Sequence, residues 1–178
     1  DVNDPVTLIV RGDGDPAFAD PKILAEHDLE FEKLVGLWVD AVRKAGIKRV
    51  GRLVMDDRVF DRDFVHPTWP QDQLNRWYCA QVAGINCNDN CLDVYPQPTA
   101  VGRTPNVTVL PTVPFIESSN RATTSQSDSF WISRKLGTNQ ITFWGKVKYE
   151  RTEPVHVTVH DPPIVFGQLL ADRLTKAG

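Results

Sequence analysis

Phe31, Leu34, Val35, Trp38, Val39 and Val42 recur at intervals of three and four residues, with Glu32, Lys33, Asp40, Arg43 and Lys44 between them. This is one apolar stripe of an amphipathic helix, and such a helix must bury that stripe against another element. Gly46 stands where a helix stop is expected, and Ile47 to Met55 then reads as a strand closed by Asp56-Asp57. A second strand, Thr7 to Val10, precedes the helix and is broken by the turn cluster Arg11 to Pro16. Helix, glycine and strand in that order predict an α/β unit.

The chain then changes character. Between Asp57 and Asn75 it is polar, aromatic and interrupted by proline (Phe60, Phe64, His66, Pro67, Trp69, Pro70), which predicts an ordered loop. Val82–Cys87 and Cys91–Tyr95 flank Asn88-Asp89-Asn90, residues that tolerate left-handed backbone, and this predicts a β-hairpin. Short strands are expected at Asn106–Leu110, Pro114–Glu117 and Phe130–Arg134. The last of these should return through Leu136–Asn139 to Gln140–Val147. Val155–Val159 alternates as a strand, and after an Asp161-Pro162-Pro163 break a final helix carries Phe166, Leu169, Leu170 and Leu174. The fold class expected is α+β: a mixed α/β sub-region with amphipathic helices, plus a mostly antiparallel β sub-region. The α/β sub-region is expected over 1–100, the mostly β sub-region over 101–150, and a returning strand and helix over 151–178. No repeat or flexible linker separates them.

The 178 residues are 41% hydrophobic and 24% charged, and 20 basic and 23 acidic residues are scattered without a basic stripe. A nucleic-acid partner is not expected, because counterion release needs clustered Lys and Arg. No apolar run approaches the roughly 20 residues that cross a bilayer, so no transmembrane segment is expected. The sequence opens at Asp1 on a polar tetrapeptide with neither Met nor a basic-then-apolar leader, which suggests a chain cut from a longer one or processed. Three cysteines, Cys79, Cys87 and Cys91, cannot all pair with one another, and their usage does not fix the compartment.

Candidate chemistry is sparse. All six serines lie between Ser118 and Ser133, and the residues three places on are Arg121, Ala122, Asp128, Phe130, Ile132 and Leu136. An SxxK nucleophile is therefore missing. Ser118-Ser119-Asn120 matches SxN and Lys135-Leu136-Gly137 approaches KTG, but patterns this short arise by chance and mean little without an acylated serine. His156, His160 and Asp161 are metal-ligand types, yet no third ligand is spaced to join the histidines and Pro162 follows at once. Asp13, Asp15, Asp56 and Asp57 are explained by turn chemistry and a solvated strand end before paired acid/base work. Arg11–Gly14 lacks phosphate-loop spacing. Asn106-Val107-Thr108 is a glycosylation sequon by pattern only, and Cys79 has no identifiable base and reads as a packing thiol. No catalytic, cofactor-binding or metal-binding residue is assigned, and no cofactor is expected.

Several stretches in order resemble the D-alanyl-D-alanine carboxypeptidase/endopeptidase family, the low-molecular-mass class C penicillin-binding proteins, in the region between its SxxK and SxN motifs. TLIVRGDGDP, Thr7 to Pro16, resembles the family's LYLVGGGDP strand and turn, and the helix ending KAGI at Ile47 resembles its LRAAGI segment. RVGRLVMDD with Phe60 resembles I-x-G-x-L-x-x-D-D-S-x-F, with Arg58 in place of the serine. Pro67, Trp69 and Asp72 resemble P-x-W-x-x-x-D, and VAGINCNDN resembles V-S-A-L-x-x-N-x-N. Pro96 and Gly102 fall on P-x-x-x-x-G, and VTVHDP, followed by a helix ending KAG, resembles the closing strand and helix. The resemblance implies a non-catalytic accessory insert of a serine-type enzyme that acts on peptidoglycan peptides in the periplasm or cell envelope. Its expected partners are the rest of the parent transpeptidase-type domain and peptidoglycan. The acylated serine and its lysine would lie outside Asp1–Gly178. The alternative is a stand-alone envelope or peptidoglycan-binding module gripping through the aromatics of Phe60–Trp77.

Overall fold

The computed structural model describes residues 4–178, so Asp1–Asn3 of the opening tetrapeptide lie outside the described residues. In chain order the elements are β1 (Val6–Arg11), α1 (Pro21–Glu26), α2 (Phe31–Lys44), β2 (Val50–Asp56), β3 (Cys91–Gln97), β4 (Asn106–Leu110), β5 (Ser118–Asn120), β6 (Thr123–Thr124), β7 (Trp131–Arg134), β8 (Ile141–Trp144), β9 (Lys146–Val147), β10 (Val155–Thr158) and α3 (Pro162–Ala177). Helices and strands coexist in open sheets, so the fold is α+β, as the patterning predicts. The chain divides into two units. Among the described residues, one comprises those up to Phe64 with 82–89 and 161–178, the other 65–81 and 90–160.

The first unit is the α/β part. β1 and β2 pair in parallel, from Val6 opposite Val50 to Arg11 opposite Asp56, and parallel pairing requires the long crossover that α1 and α2 supply. The stripe of α2 turns inward through Val35 and Val39, which are almost fully buried. Gly46 has φ +74, the left-handed stop that a Cβ would disfavour, and its N–H closes onto the Arg43 carbonyl. Phe18, Trp38 and Phe166 meet as a triad with centroids 5.3 to 5.5 Å apart, two of the three contacts edge-on. α1 escapes the periodicity argument because six residues carry no measurable period. Its start is marked by Asp20, whose carboxylate accepts from the Lys22 and Ile23 N–H groups, and by Pro21 inside the first turn.

The expected hairpin about Asn88-Asp89-Asn90 is not formed. The three residues do adopt left-handed backbone, with φ of 52, 54 and 52. The preceding segment, however, docks on the first unit instead of pairing with β3. Val82 donates to the Phe64 carbonyl, Asn88 to that of Phe18, and the Gly84 carbonyl accepts from Gly14. The approach is so close that a Cβ on Gly84 would stand 2.4 Å from the Asp57 carbonyl oxygen. The partners of β3 are β10 and β4, both antiparallel.

In the second unit, sheet β10-β3-β4 is joined by β5-β8-β7 and by the two-stranded β6-β9. The predicted return from Phe130–Arg134 is present: β7 and β8 pair antiparallel, Trp131 opposite Trp144 and Arg134 opposite Ile141. The strand expected at Pro114–Glu117 starts later, at Ser118, and runs parallel to β8. Leu92, Val94, Val147 and Val157 are at most 2% exposed and form the centre of this core. On the β7–β8 pair, Phe130 stacks on Phe143 and Trp131 on Trp144.

Candidate functional site

The serine-enzyme lookalikes are not brought together. Ser118 lies opposite Ile141 on β5, and Arg134, the neighbour of Lys135, lies opposite Ile141 on the other side. Two strand spacings, on the order of 10 Å, therefore separate Ser118 from Arg134, too far for a serine to pass its proton to a neighbouring base. Asn120 is spent on structure. Its amide donates to the Pro105 carbonyl at 2.9 Å and its side-chain oxygen accepts from the Ala122 N–H. Lys135 begins the β7–β8 turn, where its carbonyl accepts from the Thr138 N–H and hydroxyl.

The histidines are also taken up separately. β10 ends at Thr158, so His156 and His160 do not share a strand face. His156 Nδ1 meets the buried Asp93 carboxylate at 2.7 Å, while His160 pairs with Gln81 at 3.1 Å and with Asn139. No group of three potential metal ligands occurs among the described residues. Asp161 caps α3 and, with Asp57, holds Arg62 at 2.7 and 2.6 Å. Burial opposes the Arg62 charge, but the two carboxylates outweigh it and raise the guanidinium pKa. Asp13 and Asp15 bind backbone N–H groups of their own turn. Asp56 binds Arg58, which holds its carboxyl at about 2, below the ordinary 3.8. Of the cysteines, Cys79 and Cys91 are buried, and burial pushes the Cys87 thiol up. Asn106 of the sequon is exposed at the start of β4.

One feature of the second unit has the chemistry of a binding site. Arg134 is 8% exposed, at the inward end of β7, and no Asp or Glu among the described residues forms an ion pair with it. Its protein acceptors are neutral: Nη2 donates to the Leu74 carbonyl at 2.9 Å and to Thr158 Oγ1 at 3.1 Å, and Nη1 to the Thr138 carbonyl at 3.0 Å. Nε–H is buried without an acceptor among the described residues. Burial lowers the guanidinium pKa, offset in part by the nearby Cys91. The side chain opens onto a cavity of about 330 Å³ whose other polar walls include His66, Gln81 and His160. Among the described residues, no Ser, Cys, Lys, Asp or Glu lines this cavity. It offers charge and donors but neither a nucleophile nor a carboxylate base. No motif marks Arg134, because a guanidinium is neither nucleophile nor base. The available signal is the period-two alternation that sets Arg134 on the same face as the buried Ile132.

The profile of the D-Ala-D-Ala carboxypeptidase 3 (S13) family matches residues 2–178. No match was found among curated proteins. Among solved structures, penicillin binding protein 4 (dacB) from Haemophilus influenzae aligns with a TM-score of 0.70 at 19% identity, over 98% of this chain and 37% of that one. The same protein complexed with a novel beta-lactam aligns with a TM-score of 0.55 at 17% identity, over 96% and 34%. At these identities the likeness is one of fold. The chain spans little more than a third of the structures it matches.

Proposed function

This chain belongs to the D-Ala-D-Ala carboxypeptidase 3 (S13) family, and from that premise we propose that it is the non-catalytic accessory region of a serine-type carboxypeptidase/endopeptidase of the cell envelope acting on peptidoglycan peptides. The observation that carries the reading is the serine inventory: a chain matched by a serine-peptidase family over nearly its whole length has no serine followed by lysine three places on. The separation of Ser118 from the Lys135 turn supports it. In this reading the reacting serine, its lysine base and the later motifs belong to the rest of the parent protein, and this region contributes binding surface or support.

Acylation by a fluorescent penicillin tests it. The 178-residue chain is expected to remain unlabelled, while a product that also carries the SxxK segment labels at that serine. Covalent labelling of the 178-residue chain overturns the proposal.

A binding-module reading draws on one observation, the exposed Trp77 and Tyr78, which are 63% and 53% accessible and meet edge-on at 5.6 Å. Co-sedimentation with purified peptidoglycan that is lost in Trp77→Ala is the result expected of such a module.

A further inference from the structure

Arg134 presents an imbalance that the rest of the second unit does not correct. A guanidinium removed from water needs an opposite charge, and neutral carbonyls and a hydroxyl satisfy its geometry without neutralising it. Elsewhere in the chain buried or half-buried arginines have carboxylates: Arg151 has Asp128, and Arg173 has Glu32 and Asp172. Arg134 has a cavity instead. Its walls add the polar side chains of His66, Gln81 and His160. His66 Nδ1 accepts from the Thr68 N–H, and His160 Nδ1 faces the Gln81 amide.

We propose that this cavity is a binding site for a small organic carboxylate, whose negative charge Arg134 balances. The size, about 330 Å³, admits an acylated amino acid. Val65 and Leu136 supply apolar wall for a short side chain, and the single permanent cation matches a monoanion better than a hydrated dianion such as phosphate. The inference rests on the cavity alone and is independent of the accessory-region reading.

The test is a titration of the 178-residue protein, followed by Arg134 Nε–H and histidine ring resonances, with N-acetylalanine, its uncharged amide and inorganic phosphate at constant ionic strength. N-acetylalanine is expected to bind saturably and the amide at least about ten-fold more weakly. Arg134→Met should weaken binding by a similar factor. Because that substitution removes three structural hydrogen bonds, Leu136→Trp provides a second variant: Leu136 is 55% exposed, so the larger ring should block the cavity while the protein melts as before. Equal binding of acid and amide, no binding of either, tighter binding of phosphate, or unchanged affinity in Leu136→Trp would each overturn the proposal.

Discussion

Asp56 and Arg58 form a charge pair whose main cause lies within three residues, with Arg11 adding to it. Nε and Nη2 of Arg58 both donate to the carboxylate, at 2.7 and 2.8 Å, and hold its pKa at about 2. A folded pKa below the unfolded one means that the contribution is present above 3.8 and is lost as pH falls through about 2. Arg58→Ala is therefore expected to return the Asp56 titration toward 3.8, read from its side-chain carboxyl resonance, with little change in melting because Arg58 is largely exposed. An unmoved midpoint would mean that Arg58 is not the cause. Such a pair can be suspected from sequence, since both members are near neighbours. For Arg134 the alternation of β7 gives only the inward face, because its acceptors come from residues 74, 138 and 158, and no local pattern announces that they converge. The candidate site was for that reason the least legible part of the chain.

At the scale of elements, legibility followed local chemistry. The α2 stripe, Gly46, β4 and the β7–β8 return could be read because their period or turn residues are self-contained. The hairpin expected at Asn88–Asn90 failed for the opposite reason. The left-handed turn is foreseeable, but the partners of Val82–Asn88 are Phe64, Phe18 and Gly14, all distant in sequence. Asp161-Pro162-Pro163 reads in sequence as a break, yet both prolines lie in the first turn of α3, where no N–H partner is required. Asp161 caps that helix by accepting from the Ile164 N–H and also binds Arg62. Asp161→Ala should cost about 1–2 kcal/mol by chemical denaturation from the cap alone. Asp161→Asn keeps the cap and tolerates the left-handed backbone, so it should cost less. Equal losses would assign the effect to the ion pair instead.

Across the whole molecule, each unit is assembled from separated stretches of chain, and the aromatic triad shows what that entails. Phe166 is 2% exposed against Phe18 and Trp38. Phe166→Ala is expected to cost about 3–5 kcal/mol, with amides of β1, α2 and β2 losing protection from hydrogen exchange. Retained protection there would mean that α3 is not integral to that core. The same arrangement bears on how the protein is made. On a ribosome, Phe18 and Trp38 emerge long before Phe166, and at about 5–20 residues per second the first unit waits on the order of ten seconds for the segment that covers them. β3 likewise precedes its partner β10 by most of the second unit. The early half of the nascent chain thus carries uncovered aromatic and strand-edge surface until the later segments emerge, and its yield should depend on translation speed.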